Sequence, residues 1–124
     1  VKKIDSNGNE ITSGGWPFNV RTENDYPNYS QYSNVYGLAV DSGGNVYTGS
    51  RDSTVKKIDS SGNEIWAFTE HQRQIRSVDV DSDGNVYSAS DDDTVKKIDP
   101  NGNEVWTFSG HTSNVYSVAV YLDY

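Results

Sequence analysis

The chain has 124 residues, with 10 Lys and Arg against 18 Asp and Glu and a formal net charge of -8. One ordinary domain's length excludes a multidomain enzyme, and the acidic balance excludes a basic face for nucleic acid. The lack of cysteine excludes disulfides and thiolate chemistry, and no apolar run is long enough to span a membrane.

Taken in chain order, the elements form a repeat. VKKIDSNGNEI opens at Val1 and returns from Val55 and Val95, while VDSGGNVYTGSRDSTV from Val40 returns as VDSDGNVYSASDDDTV from Val80. Residues 35–59 and 75–99 align without a gap at a spacing of 40, with 15 of 25 positions identical, which is too many for chance. Each unit is predicted to hold four short strands, lettered A to D. Residues 1–11 supply strands C and D of a partial blade, and an insertion occupies 12–34. A complete blade, 35–68, carries A from Val35, B at 45–50, C at 54–59 and D at 63–68. The next, 75–108, carries A from Ile75, B at 85–90, C at 94–99 and D at 103–108. A final strand A is expected over 115–124. Val, Ile, Tyr, Trp and Thr dominate these runs and suit a pleated surface, whereas no stretch has a helical apolar period. The fold class is all-β.

Five segments share the form D-x-x-G-N: Asp5–Asn9, Asp41–Asn45, Asp59–Asn63, Asp81–Asn85 and Asp99–Asn103. An Asp at the first position bonds backbone N–H groups two residues on, and Gly at the fourth accepts a positive φ without a Cβ clash. A type I turn followed by a left-handed Gly is a common hairpin corner. These turns are predicted to join A to B and C to D.

Four-stranded antiparallel units of this length resemble β-propeller blades, and particular residues resemble the WD-repeat family. They are Gly110-His111 before strand A, the S-x-D-x-T-V stretches Ser50–Val55 and Ser90–Val95, and the Asp that closes strand C. The resemblance covers the chain outside the 12–34 insertion. In that family a strand-B hydroxyl, a turn Asp, the Gly-His histidine and a strand-C Trp form a hydrogen-bonded structural network. The resemblance implies part of it here, from Ser88 or Ser90, Asp52 or Asp92, and His71 or His111. The indole is missing, because Ile4, Ile58 and Ile98 stand at the Trp position. The I-D-x-x-G-N-E-I-W segment is also similar to the repeats of pyrroloquinoline-quinone-type bacterial propellers.

Eleven predicted strands make 2.75 blades, whereas propellers close with roughly four to eight. The chain is therefore expected not to close a ring alone. Either copies complete one another, as a closed oligomer or a head-to-tail filament, or the chain is a fragment of a longer propeller. Both expectations make an isolated monomer unstable, since each repeat buries its apolar face on a neighbour.

Links in an antiparallel meander alternate between two ends, so one end collects the D-x-x-G-N turns. The other collects 12–34, 51–53, 69–74, 91–93 and 109–114, and varied loops on a fixed scaffold are where binding usually lives. Trp16, Phe18, Tyr26, Tyr29 and Tyr32 concentrate in the insertion. They suit a protein contact or sugar stacking, against the plainer alternative of a loop packing its own aromatics. Asn28 begins the sole N-x-[ST] sequon, a glycosylation candidate only on a secreted chain. Asp81, Asp83 and Asn85 match the first half of a calcium loop, but the turn form they share with four other segments favours hairpin geometry. Asp91, Asp92 and Asp93 read as a solvated turn. No nucleophile–base pair, phosphate loop or cofactor signature is present, so no enzyme and no cofactor are expected. One Lys of each pair, Lys2-Lys3, Lys56-Lys57 and Lys96-Lys97, must lie against a neighbouring blade, its stem packed and its ammonium reaching a rim carboxylate. The expected function is a self-associating structural module, a homo-oligomer or homopolymer. The alternative is a protein- or carbohydrate-binding domain using the insertion face. Abundant Ser, Asn, Gly and Tyr favour an extracellular or cell-surface setting.

Overall fold

A computed structural model describes residues 6–7 and 34–121. Eight strands lie in this span: β1 Val35–Val40, β2 Val46–Ser50, β3 Val55–Ile58, β4 Glu64–Phe68, β5 Ile75–Val80, β6 Val86–Ser90, β7 Val95–Ile98 and β8 Glu104–Phe108. They form two four-stranded sheets in the orders β1-β2-β3-β4 and β5-β6-β7-β8, antiparallel throughout. Each sheet is one predicted A-B-C-D unit. The strands expected over 1–12 fall outside the described residues, apart from an exposed turn at Ser6 and Asn7.

The turns form for the reasons read in the sequence. In all four described D-x-x-G-N segments the Gly N–H donates to the Asp carbonyl, and Gly44, Gly62, Gly84 and Gly102 have φ of 82°, 89°, 86° and 88°. Asp41 Oδ1 accepts from the N–H groups of Gly43 and Asn45, at 2.9 and 3.0 Å, and Asp81, Asp59 and Asp99 repeat the pattern. The β2–β3 and β6–β7 turns have the same build, but Ser53 and Asp93 take the positive φ, at 73° and 70°. These left-handed non-Gly positions did not stand out in the sequence.

The core lies between the blades. Tyr47, Val55 and Phe68 of the first pack against Ile75, Val78, Val80, Val86 and Ile98 of the second, with Ala39 and Trp66 at the margin. The approach is close because the first blade carries glycines there: a Cβ on Gly49 would lie 2.5 Å from Ile75 Cγ2, and one on Gly37 2.9 Å from the Val78 nitrogen. Lys2 and Lys3 lie outside the described residues, and in the other two pairs one Lys reaches a Glu and the other a Tyr ring. Lys56 is buried and reaches Glu64 at 3.3 Å, Lys96 reaches Glu104 at 2.7 Å, and Lys57 and Lys97 lie over the Tyr47 and Tyr87 rings.

One expectation is corrected. The described part of 115–124 is not a strand. Its N–H groups are tied to the second blade singly: Val115 to the Ser90 carbonyl, Val118 to Ser77 Oγ and Val120 to Asp79 Oδ2. A strand exists only in a ladder, and among the described residues none runs beside this segment.

Candidate functional site

The second blade contains a buried polar chain built on one histidine. His71 Nδ1 lies 2.7 Å from Asp92 Oδ2 and Nε2 lies 2.6 Å from Ser88 Oγ. Asp92 also accepts from the Gln72 N–H, the Thr94 N–H and the Thr94 hydroxyl. An ionised Asp92 needs a donor, so Nδ1 carries the proton and Nε2 accepts from Ser88. Burial, the largest influence, lowers the His71 pKa below 6.5 against the pull of Asp92, which keeps the imidazole neutral. Burial also opposes the charge on Asp92, but its hydrogen bonds together outweigh that and push the carboxyl down to about 2. The β6–β7 turn is thereby pinned to the loop before β5. Both ring nitrogens are engaged, so His71 offers no lone pair to a substrate or metal.

The implied network therefore uses Ser88, His71 and Asp92. Ser90 instead donates to the carbonyls of Arg73 and Gln74. His111 is exposed and meets the Phe108 ring nearly at right angles, centroids 5.5 Å apart. In the first blade Asp52 Oδ1 accepts from Thr54, while Asp52 Oδ2 and Thr48 Oγ1 are buried with no hydrogen-bond partner among the described residues. These are the repeat equivalents of the Asp92 and Ser88 atoms that His71 joins.

Asp81 uses its carboxylate inside its own turn, accepting from Asp83 N–H, Asn85 N–H, the Asn85 amide and the Tyr87 hydroxyl. Among the described residues no group of three or more His, Asp or Glu is placed to hold a metal ion. Asp91 is held by Gln74 and by Nε and Nη2 of Arg76, whose guanidinium lies 5.3 and 5.7 Å from the ring centroids of Tyr36 and Tyr116. Trp16, Phe18, Tyr26, Asn28, Tyr29 and Tyr32 lie outside the described residues.

The residues missed by sequence reasoning form the open face of the second blade. Val55 and Phe68 are 0% and 3% exposed, whereas Phe108, the repeat of Phe68, is 51% exposed and Val95 is half-buried. Trp66 donates its indole N–H to the Pro100 carbonyl at 3.0 Å, while its repeat, Trp106, is 41% exposed. The available signal was that a side chain buried by the next repeat is uncovered where no next repeat lies against it.

Two four-stranded blades stacked face to face define a β-propeller-type repeat protein. The family model for "WD domain, G-beta repeat" matches residues 26–59, 62–99 and 102–123, and the chain belongs to the WD40 family. The first matched repeat starts inside the stretch read as an insertion. Among solved structures the chain is similar to one described as the WD40 repeats of RRP9 and another described as U3-55K. Each is 25% identical with a TM-score of 0.65, and each match covers 68% of this chain and 27% of that one. No curated protein matches the chain. WD40 propellers are typically protein-interaction or assembly scaffolds and are generally non-catalytic.

Proposed function

We propose that this chain is a non-enzymatic assembly module that binds copies of itself through its blade faces, closing into an oligomer or extending as a filament. The observation that carries this is the contrast between Phe68 at 3% and Phe108 at 51% exposure. The same side chain at the same repeat position is covered when a blade stacks on it and wet when none does. Contiguous apolar surface of this kind on a repeat unit is the surface a neighbouring unit buries. A non-enzymatic role accords with His71, the one buried histidine among the described residues, being bonded at both nitrogens.

A recognition role for the loop face has separate support in a cavity of about 460 Å³ lined by Arg51, Ser53, Arg73, Gln74 and Asp91. Polar groups at loop ends on a fixed scaffold suit a protein or carbohydrate ligand.

Sedimentation velocity over a wide concentration range separates the two. Copies with a net charge of -8 repel, so the series is run at about 0.15 M salt and above, where that repulsion is screened. The assembly reading expects mass that grows with concentration. A monomer at every concentration overturns it, and a particle of constant size that retains a peptide or glycan favours recognition.

A further inference from the structure

The two blades repeat closely, and their departures in charge gather at one end. Ser50 and Ser90 close strand B alike, but the next residue is Arg51 in one blade and Asp91 in the other. Tyr36 stands at the repeat position of Arg76, and Ser33 at that of Arg73. A change of charge adds nothing to a geometry that both blades share. Where such changes collect on loop ends, they mark a place with a task of its own.

Three of these residues meet in the cavity of about 460 Å³, where Arg51 and Ser53 of the β2–β3 turn face Arg73 and Gln74 of the loop before β5 and Asp91 of the β6–β7 turn. Their backbones are anchored. The Arg51 N–H donates to the Asn34 carbonyl at 2.8 Å and the Asp91 N–H to the Gln74 carbonyl at 3.0 Å, while Ser90 Oγ donates to the carbonyls of Arg73 and Gln74. The wall holds two cations and one carboxylate, and that carboxylate is already engaged. Nε and Nη2 of Arg76 each lie 2.9 Å from an Asp91 oxygen, and Gln74 donates to the same group. Arg73 is exposed and forms no ion pair among the described residues.

We infer that this cavity binds a single carboxylate of a short protein segment, with the Arg73 guanidinium as its chief partner and Arg51 and the Ser53 hydroxyl beside it. This rests on the recognition reading of the loop face and names the group recognised. A guanidinium pairs with the two oxygens of a carboxylate at once, whereas a neutral sugar brings it no charge. The acidic remainder of the molecule limits the ligand's length. With a net charge of -8, and with Glu70 and Asp93 on the same loops as the cavity, a nucleic acid is repelled along its whole backbone. One carboxylate among uncharged neighbours is not. Stacking of blades covers the sheet faces and leaves the loop ends open, so the cavity is available in a single chain and in an assembly alike.

The test uses the full chain and an array of paired hexapeptides, acetylated and amidated, with Glu or Gln at one central position among varied uncharged residues. Glu peptides are expected to be retained about 10- to 100-fold more tightly than their Gln counterparts, the usual strength of hydrogen bonds to a charged group. Raising the salt is expected to narrow that difference. Arg73→Gln is expected to remove most of it, and Arg73→Glu to transfer retention to peptides with Lys at the central position, a gain that a misfolded chain cannot give. Repeating the array with free C-termini distinguishes the two sources of a carboxylate. Restored retention of Gln peptides supports the site with a chain end as its ligand, and unchanged retention supports it with a side chain. Glu and Gln peptides retained alike would leave recognition standing and overturn the carboxylate. A Glu preference that survives Arg73→Gln would overturn this cavity as its seat, and Arg73→Glu without a gain of Lys peptides would overturn direct pairing at Arg73. Retention of no peptide at all would overturn both the recognition reading and this site.

Discussion

At the scale of single residues the two histidines hold the same repeat position and do different things. His71 joins Ser88 to Asp92 in the interior, whereas His111 is exposed. Replacing His71 by Ala leaves a buried hydroxyl and a largely buried carboxylate without their shared partner, and an orphaned buried polar group costs about 1–3 kcal/mol. His71→Ala is therefore expected to lower stability by about 2 kcal/mol in urea unfolding, because the Ser88 hydroxyl loses its partner while Asp92 keeps its donors from Gln72 and Thr94. His111→Ala is expected to stay within about 0.5 kcal/mol, the usual bound for a surface change. Equal effects would refute the distinction.

At the scale of elements the first blade, among its described residues, lacks the link that the second has. Thr48 Oγ1 and Asp52 Oδ2 are the equivalents of the atoms His71 bridges, and both are buried without a partner among the described residues. The repeat places Gln31, outside the described residues, at the position of His71. Were that register to hold in space, Gln31→His would offer a ring with a donor and an acceptor to those two atoms. It is expected to raise the unfolding free energy by about 1–2 kcal/mol, the worth of one or two buried hydrogen bonds, read from the urea midpoint at unchanged slope. An unchanged midpoint would show that the 40-residue register does not extend back to residue 31.

At the scale of the whole molecule, stability gathers these polar contacts into a pH dependence. The His71 pKa is lowered in the folded state, so the folded chain binds its proton less readily than the unfolded one. That stability is complete above 6.5 and is lost as pH falls from 6.5 through the depressed value. Asp92 is lowered from 3.8 to about 2, so its contribution is complete above 3.8 and is lost as pH falls through 2. Asp41, Asp59, Asp81 and Asp99 are lowered too and add to this second phase. Urea titrations at successive pH values are expected to show two declines, and His71→Gln is expected to remove the first while keeping the second. A single decline in the wild type would contradict the neutral buried imidazole.

The amino-acid sequence by itself determined the strands of the two described blades, their order and the shape of the corners. A D-x-x-G-N turn is settled by Asp accepting from two N–H groups and Gly taking positive φ, all within five residues. The period of 40 then stacks identical units. The choice of Ser88 over Ser90 belonged to the tertiary structure, because the two lie two residues apart on one strand and only the position of the His71 ring separates them. So did the difference between Trp66 and Trp106, or Phe68 and Phe108, whose local sequences are nearly the same. Burial of a repeated side chain is decided by the blade that lies against it, and that neighbour comes from a distant part of the sequence.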